Sequence, residues 1–198
     1  TTVLPLLMVT HASPNAPNVD VLINNDIEYS NVAYGTSSEY KSLPSGNERV
    51  RFNVTGTSVS VIDTSSFYQE GRSYSIFAID SVSDISAVVF TDDLSTPASG
   101  KAHVRFIHLS PDAPAVDVAV ASSGAVVFGD VAFTEGTAFT PLDAGTYNLD
   151  VRVAGTSTVA LVLPAITLQA GKIYTVFAKG FLAGTGAQAL GAEIILNK

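Results

Sequence analysis

His108-Leu109-Ser110-Pro111-Asp112-Ala113-Pro114-Ala115-Val116-Asp117-Val118 repeats His11-Ala12-Ser13-Pro14-Asn15-Ala16-Pro17-Asn18-Val19-Asp20-Val21, and the copies lie 97 residues apart (11 to 108). The shared pattern is H-x-S-P-[ND]-A-P-x-V-D-V. Prolines have no N–H to give a ladder, so two of them three residues apart interrupt a strand. Each copy therefore reads as a strand ending at the histidine, a turn, and a second strand beginning at Val-Asp-Val. Ser and Asn or Asp side chains in the turn can bond nearby backbone amides. A period of this length in a 198-residue chain predicts two domains of about 95 residues each. The expected division is residues 1–95, a short polar linker at 96–100, and residues 101–198.

Working outward, later blocks follow in the same order behind each motif. Val32-Ala33-Tyr34-Gly35-Thr36 through Tyr40 matches Val131-Ala132-Phe133-Thr134 through Phe139. Leu43-Pro44-Ser45-Gly46 matches Leu142-Asp143-Ala144-Gly145, read as a hairpin tip where glycine tolerates positive φ. Arg49 to Val54 and Tyr147 to Val153 alternate polar with apolar, the pattern of half-buried strands. Gly71-Arg72-Ser73-Tyr74-Ser75-Ile76-Phe77-Ala78 matches Gly171-Lys172-Ile173-Tyr174-Thr175-Val176-Phe177-Ala178. No window carries a sustained helical period. Short strands with frequent turns predict an all-β chain of two tandem antiparallel β-sandwiches.

Composition narrows the function classes. Net charge is −8, and only 10 Lys and Arg are spread over the chain, so nucleic acid is not an expected partner. The longest apolar run, Val159 to Ile166, is broken by Pro164 and too short to span a bilayer. Without cysteine there are neither disulfides nor thiolate metal sites. No signal peptide is visible ahead of Leu6, as expected of a mature, processed chain or a trimmed one.

These blocks resemble the bacterial family filed as domain of unknown function 4397. The motif, the Val-Ala-Tyr-Gly-Thr segment, the Leu-Pro-x-Gly turn and the Gly-Lys-x-Tyr-Thr-Val-Phe-Ala strand carry the resemblance, which covers both halves. It implies exported or cell-surface β-sandwiches in the style of immunoglobulin-like and transthyretin-like domains. It implies no activity. The second copy departs from the pattern where Tyr34-Gly35 becomes Phe133-Thr134.

Candidate chemistry is sparse. Ser13, His11 and Asp20, with Ser110, His108 and Asp117, contain the residue types of a nucleophilic triad. No G-x-S-x-G elbow accompanies them, and both copies carry the set. The expectation is a structural bracket made by His11, Ser13, Pro14 and Asp20 and by His108, Ser110, Pro111 and Asp117, with no catalytic residue. In it, imidazole and carboxylate would bond the turn's own amides. Asp92-Asp93, and Asp112 with Asp117, could offer oxygens to calcium, but no calcium-loop spacing surrounds them and they read as solvated carboxylates. Three histidines do not make a zinc site without help from carboxylates. Gly184-Thr185-Gly186 reads as a loop, and Asn53-Val54-Thr55 as a chance glycosylation sequon within a strand. Tyr34, Tyr40, Phe133 and Phe139 occupy matched positions, which argues for core packing over a sugar-binding face.

The expected function is therefore a non-enzymatic, exported or cell-surface structural or adhesive protein with no cofactor and no metal. Self-assembly into an oligomer or filament through edge strands is part of that expectation, with the apolar lead Thr1 to Val9 as a candidate pairing strand. Alternatives are a module binding a surface glycan, peptide or protein, and, ranked last, a hydrolase using the motif. Apolar residues on edge strands would favour assembly, an aromatic-lined groove ligand binding, and an open His11–Asp20 pair beside Ser13 hydrolysis.

Overall fold

The computed structural model describes residues 2–198. It is all-β apart from one turn of 3-10 helix at Gly186–Gln188. Two compact units meet between Asp93 and Leu94, which places residues 94–100 with the second.

The first unit holds β1 (Leu6–His11), β2 (Val19–Ile23), β3 (Asp26–Val32), β4 (Lys41–Ser42), β5 (Gly46–Val54), β6 (Ser60–Tyr68), β7 (Ser73–Ile79) and β8 (Ser86–Asp92). They form two four-stranded sheets, β4-β1-β7-β8 and β3-β2-β5-β6. The second unit repeats this order with β9 (Lys101–His108), β10 (Val116–Val120), β11 (Val126–Val131), β12 (Thr140–Asp143), β13 (Gly145–Tyr147), β14 (Leu149–Val153), β15 (Val159–Val162), β16 (Ile166–Leu168), β17 (Ile173–Lys179) and β18 (Gly191–Leu196). Its sheets are β12-β9-β17-β18 and β11-β10-β14-β15, with β13-β16 as a separate pair. Strands β5 and β6 of the first unit are each split in two in the second. Pro164 accounts for one break, since it has no N–H for the ladder between β15 and β16.

Pairing is antiparallel except once in each unit. β1 runs parallel to β7, and β9 parallel to β17, with Leu6 opposite Ser73 and His103 opposite Ile173. Parallel neighbours need a long crossover. Here the crossover is the rest of the sandwich: the chain leaves β1, builds the opposite sheet and returns.

Gly46 and Gly145 have positive φ, 118° and 153°, as the turn reading expects. They do not sit at a hairpin tip, however. β4 pairs with β1 and β12 with β9, whereas β5 pairs with β2 and β6, and β13 with β16. Each glycine stands where the chain crosses from one sheet to the other. The sequence signals a sharp change of direction but not which strands flank it.

Leu7, Val9, Val21, Val50, Phe52, Tyr74 and Ile76 point from both sheets into the first core. Val104, Phe106, Val118, Leu149, Val151, Tyr174 and Val176 do so in the second. The expected core aromatics behave differently. Tyr34 and Phe133 stand edge-on to His11 and His108, with ring centroids 6.0 and 6.3 Å apart. Tyr40 donates to Asp92 at 2.6 Å, and Phe139 lies under the Arg105 guanidinium at 4.4 Å. Matched aromatics here pack on polar side chains, half-buried, rather than inside the apolar clusters. Phe52 has no exposed surface. Phe52→Ala is expected to destabilise the first unit by about 3–5 kcal/mol, read from urea unfolding. A loss below about 1 kcal/mol would contradict this packing.

Candidate functional site

The repeated motif occupies one pole of each sandwich, and its histidine, serine, Asn or Asp and final aspartate are all bonded to backbone, while Asn18 of the first copy donates to the Asn31 side chain at 2.9 Å. His11 and His108 are fully buried. Nδ1 of His11 accepts from the Ser13 N–H at 3.3 Å, and its Nε2 lies 2.9 Å from the Pro17 carbonyl. His108 does the same with Ser110 at 3.2 Å and Pro114 at 2.9 Å. An N–H donor at one nitrogen and a carbonyl at the other fix the neutral Nε2–H tautomer. Burial lowers both histidine pKa values, against the raising effect of the proline carbonyls.

The serines reach across to the turn after β7 or β17. Ser13 Oγ donates to the Asp80 carbonyl and Ser110 Oγ to the Gly180 carbonyl, both at 2.6 Å. The Asn or Asp two residues on reaches the same turn. Asn15 Oδ1 accepts from the Val82 N–H at 2.8 Å, and Asp112 accepts from Leu182 at 2.6 Å and Ala183 at 3.1 Å. Burial opposes ionisation of Asp112, but these amides hold its pKa below the usual value.

The motif aspartates tie two further elements. Asp20 accepts from Asn31 at 2.8 Å and Gly56 at 2.9 Å. Asp117 accepts from Asp130 at 2.7 Å and Gly155 at 2.9 Å. Asn31 and Asp130 have left-handed backbones, φ 52° and 53°, at irregularities in β3 and β11. Gly56 and Gly155 sit in the turns after β5 and β14. The Gly56 and Asn31 amides hold Asp20 below the ordinary carboxylate pKa, outweighing burial.

The aspartates thus bond the amides of neighbouring elements and not those of their own turn. Serine, histidine and aspartate are each tied to backbone and do not form a chain with one another. Gly56 and Gly155 are visible in sequence as matched turn residues. Their role as partners is not, because the pairing that brings them to the aspartates is long-range.

Other sequence candidates fall elsewhere. Asp92 is buried and accepts from Ser75 Oγ at 2.5 Å as well as from Tyr40, so it is not a solvated carboxylate. Among the described residues no group of three or more His, Asp or Glu could hold a metal ion. Asn53 is buried in β5 and accepts from Ser60 at 2.6 Å, so the sequon is closed off. Gly184 is in a loop, as expected, and Gly186 opens the 3-10 turn.

A feature the sequence did not announce is an apolar cleft of about 430 Å³ in the second unit. It opens between β16 with its approach Leu163-Pro164-Ala165 and the edge strand β18, over Tyr174 and Val176. In the first unit β6 runs unbroken, and the buried Tyr68 ring packs edge-on against Tyr74 at 5.1 Å. Leu168 takes the place of Tyr68 in the second, and the Pro164 break lies in the cleft's wall.

A family profile described as Domain of unknown function (DUF4397) matches residues 5–119 and 118–193. The chain belongs to this family. The two matched segments together span nearly the whole of it, as a tandem repeat of the family's domain does. They meet inside β10, whereas the compact units meet between Asp93 and Leu94. Among curated proteins none matches the chain.

Two stability effects follow from the pole. Asp20→Ala and Asp117→Ala are each expected to cost their own domain about 1–3 kcal/mol, because two amides lose their acceptor. Variants that melt like the parent would refute this. The pH profile has a fixed sign. In the folded state the histidines stay neutral below their ordinary value of 6.5, while in the unfolded chain they protonate. Stability is therefore full above about pH 7 and falls as pH drops through 6.5, by up to about 1.4 kcal/mol per pH unit per histidine. Asp20 adds a second loss below its unfolded pKa of 3.8, in the same direction. Urea midpoints measured from pH 8 to 2.5 check both losses, and a flat profile between pH 7 and 5 would contradict the histidine effect.

Proposed function

We propose that this chain is a non-enzymatic structural or adhesive module of an exported or cell-surface assembly, built by self-association through the edge strands of its sandwiches. The observation that carries this reading is the edge of the second unit. Ile194 and Leu196 on β18, and Val159 and Val162 on β15, are exposed, and the cleft lies between β18 and the β16 segment. Both β15 and β18 are the last strands of their sheets, so their outward N–H and C=O groups are free to pair. An added strand would bond its backbone to the edge and lay every second side chain in the apolar cleft.

The alternatives have less support. The one aromatic lining the cleft, Tyr174, is buried, so it offers no exposed ring for a sugar to stack on. The motif histidines and serines are fully buried and spend their bonds on backbone, which favours a non-enzymatic reading. The apolar N-terminal lead supplies one candidate strand. Val3 and Leu4 are exposed, while the Val3 carbonyl accepts from Gly71 within its own domain at 2.8 Å.

Light scattering and electron microscopy over a concentration series test the reading. The intact protein should give particles larger than the 20.6 kDa chain. Ile194→Lys with Leu196→Lys should return it to monomer with an unchanged melting temperature. Deletion of residues 1–5 tests whether that lead is the donated strand. An intact protein that stays monomeric at millimolar concentration sinks the proposal.

A further inference from the structure

Among seven tyrosines and ten phenylalanines, Phe67 alone is exposed, at 64%. Its position on β6 explains how. Tyr68 beside it points into the core, and strand alternation turns Phe67 to the outer face, opposite Asn47 of β5. Burial does not account for an aromatic there, so the fold gains little from it.

The second repeat acts as an internal control. Gly46 pairs with Tyr68 and Gly145 with Leu168, so Phe67 corresponds to Thr167. Ser45 and Glu70 likewise correspond to Ala144 and Ala170. The same frame is built without the ring, the hydroxyl or the carboxylate. These residues are therefore dispensable to the sandwich and have diverged together at one place.

That place is a shallow hollow of about 490 Å³ lined by Ser45, Gly46, Phe67, Tyr68, Gln69 and Glu70. Ser45 Oγ donates to Glu70 Oε1 at 3.3 Å and steadies the carboxylate. A flat ring flanked by a carboxylate, an amide and a hydroxyl is complementary to a pyranose. The C–H face of the sugar lies on the ring, and its hydroxyls donate to Glu70 and exchange bonds with Gln69. Phenylalanine loses few rotamers on contact, so the platform is preorganised. The lining includes a carboxylate and no cation, on a chain of net charge −8, which disfavours uronic acids, sulfated sugars and nucleic acid.

We propose that the outer face of β6 in the first repeat is a binding platform for a neutral hexose oligosaccharide, with Phe67 as the stacking residue and Glu70 and Gln69 as its polar partners. This goes beyond the assembly reading and does not depend on it, since the assembly edge lies in the other repeat. The test is a titration of the ¹⁵N-labelled full chain, followed by amide chemical shifts, with a panel of neutral hexaoses: cello-, laminari-, malto- and manno-configured. At least one should give saturable shifts at residues 45–47 and 67–70, with the equivalent amides at 144–146 and 167–170 unmoved. Phe67→Ala should weaken that binding at least tenfold, and Glu70→Gln severalfold, with melting temperatures unchanged. Absence of saturable shifts across the panel overturns the proposal. So do shifts that survive Phe67→Ala, or a Phe67→Ala effect confined to self-association. Particle size, measured separately, keeps failure of the assembly reading distinct.

Discussion

The pole of each sandwich depends on an uncharged imidazole. Within seven residues, 12–18, the chain must leave one sheet and enter the other, and between the Ala12 N–H, which still reaches Ala78, and the Asn18 carbonyl, which accepts from Thr55, its backbone groups need other partners. One histidine meets two of those needs, accepting from the serine amide and donating to the proline carbonyl. Imidazolium would present a second N–H to the serine N–H and break the arrangement. Once the turn is shaped, the serine and the Asn or Asp are aimed at the next turn, and the aspartate at the beginning of the second strand is aimed at two more elements. Four elements are thereby fixed relative to one another without a disulfide or a metal. The serine bond measures 2.6 Å in both repeats, so the same arrangement is built twice.

A frame secured in this way can tolerate change elsewhere. The repeats keep their strand order and their parallel register while their edges and outer faces differ. The second copy, where Pro164 separates β15 from β16, carries a cleft walled by that segment. Replacing Phe67 by Thr167 removes a ring from the other's outer-face equivalent. Neither change touches a residue that bonds the pole. The duplicated scaffold thus presents different surfaces while spending the same interactions on holding its shape.

The architecture was legible because its signals are local or repeated. Proline spacing, strand alternation at Arg49 to Val54 and the paired glycines each follow from short-range backbone chemistry. What was not legible depends on who neighbours whom across the sandwich. The parallel run of β1 beside β7 has no signature in either strand, since both read simply as buried. The glycines Gly46 and Gly145 announce a turn, but only the sheet pairing distinguishes a hairpin from a crossing. Asp92 looks like one of two adjacent surface carboxylates, and alternation alone cannot say that Ser75 and Tyr40 converge on it. Matched aromatics suggested the core; Tyr34 and Phe133 instead sit against the histidines, a contact set by the long-range fold.

The parallel pair has a consequence for how the chain is made. β1 is synthesised well before its neighbour β7, which begins at Ser73, 67 residues after the paired Leu6 (6 to 73). Until then Leu7, Met8 and Val9, all buried in the finished domain, have only partial cover. Non-local pairing of this kind slows folding and leaves apolar strands open to wrong partners. The second repeat imposes the same wait on β9, whose partner β17 follows 70 residues behind the paired residue (103 to 173). Nascent copies with one strand uncovered and its partner not yet synthesised are the species that a cell must shield.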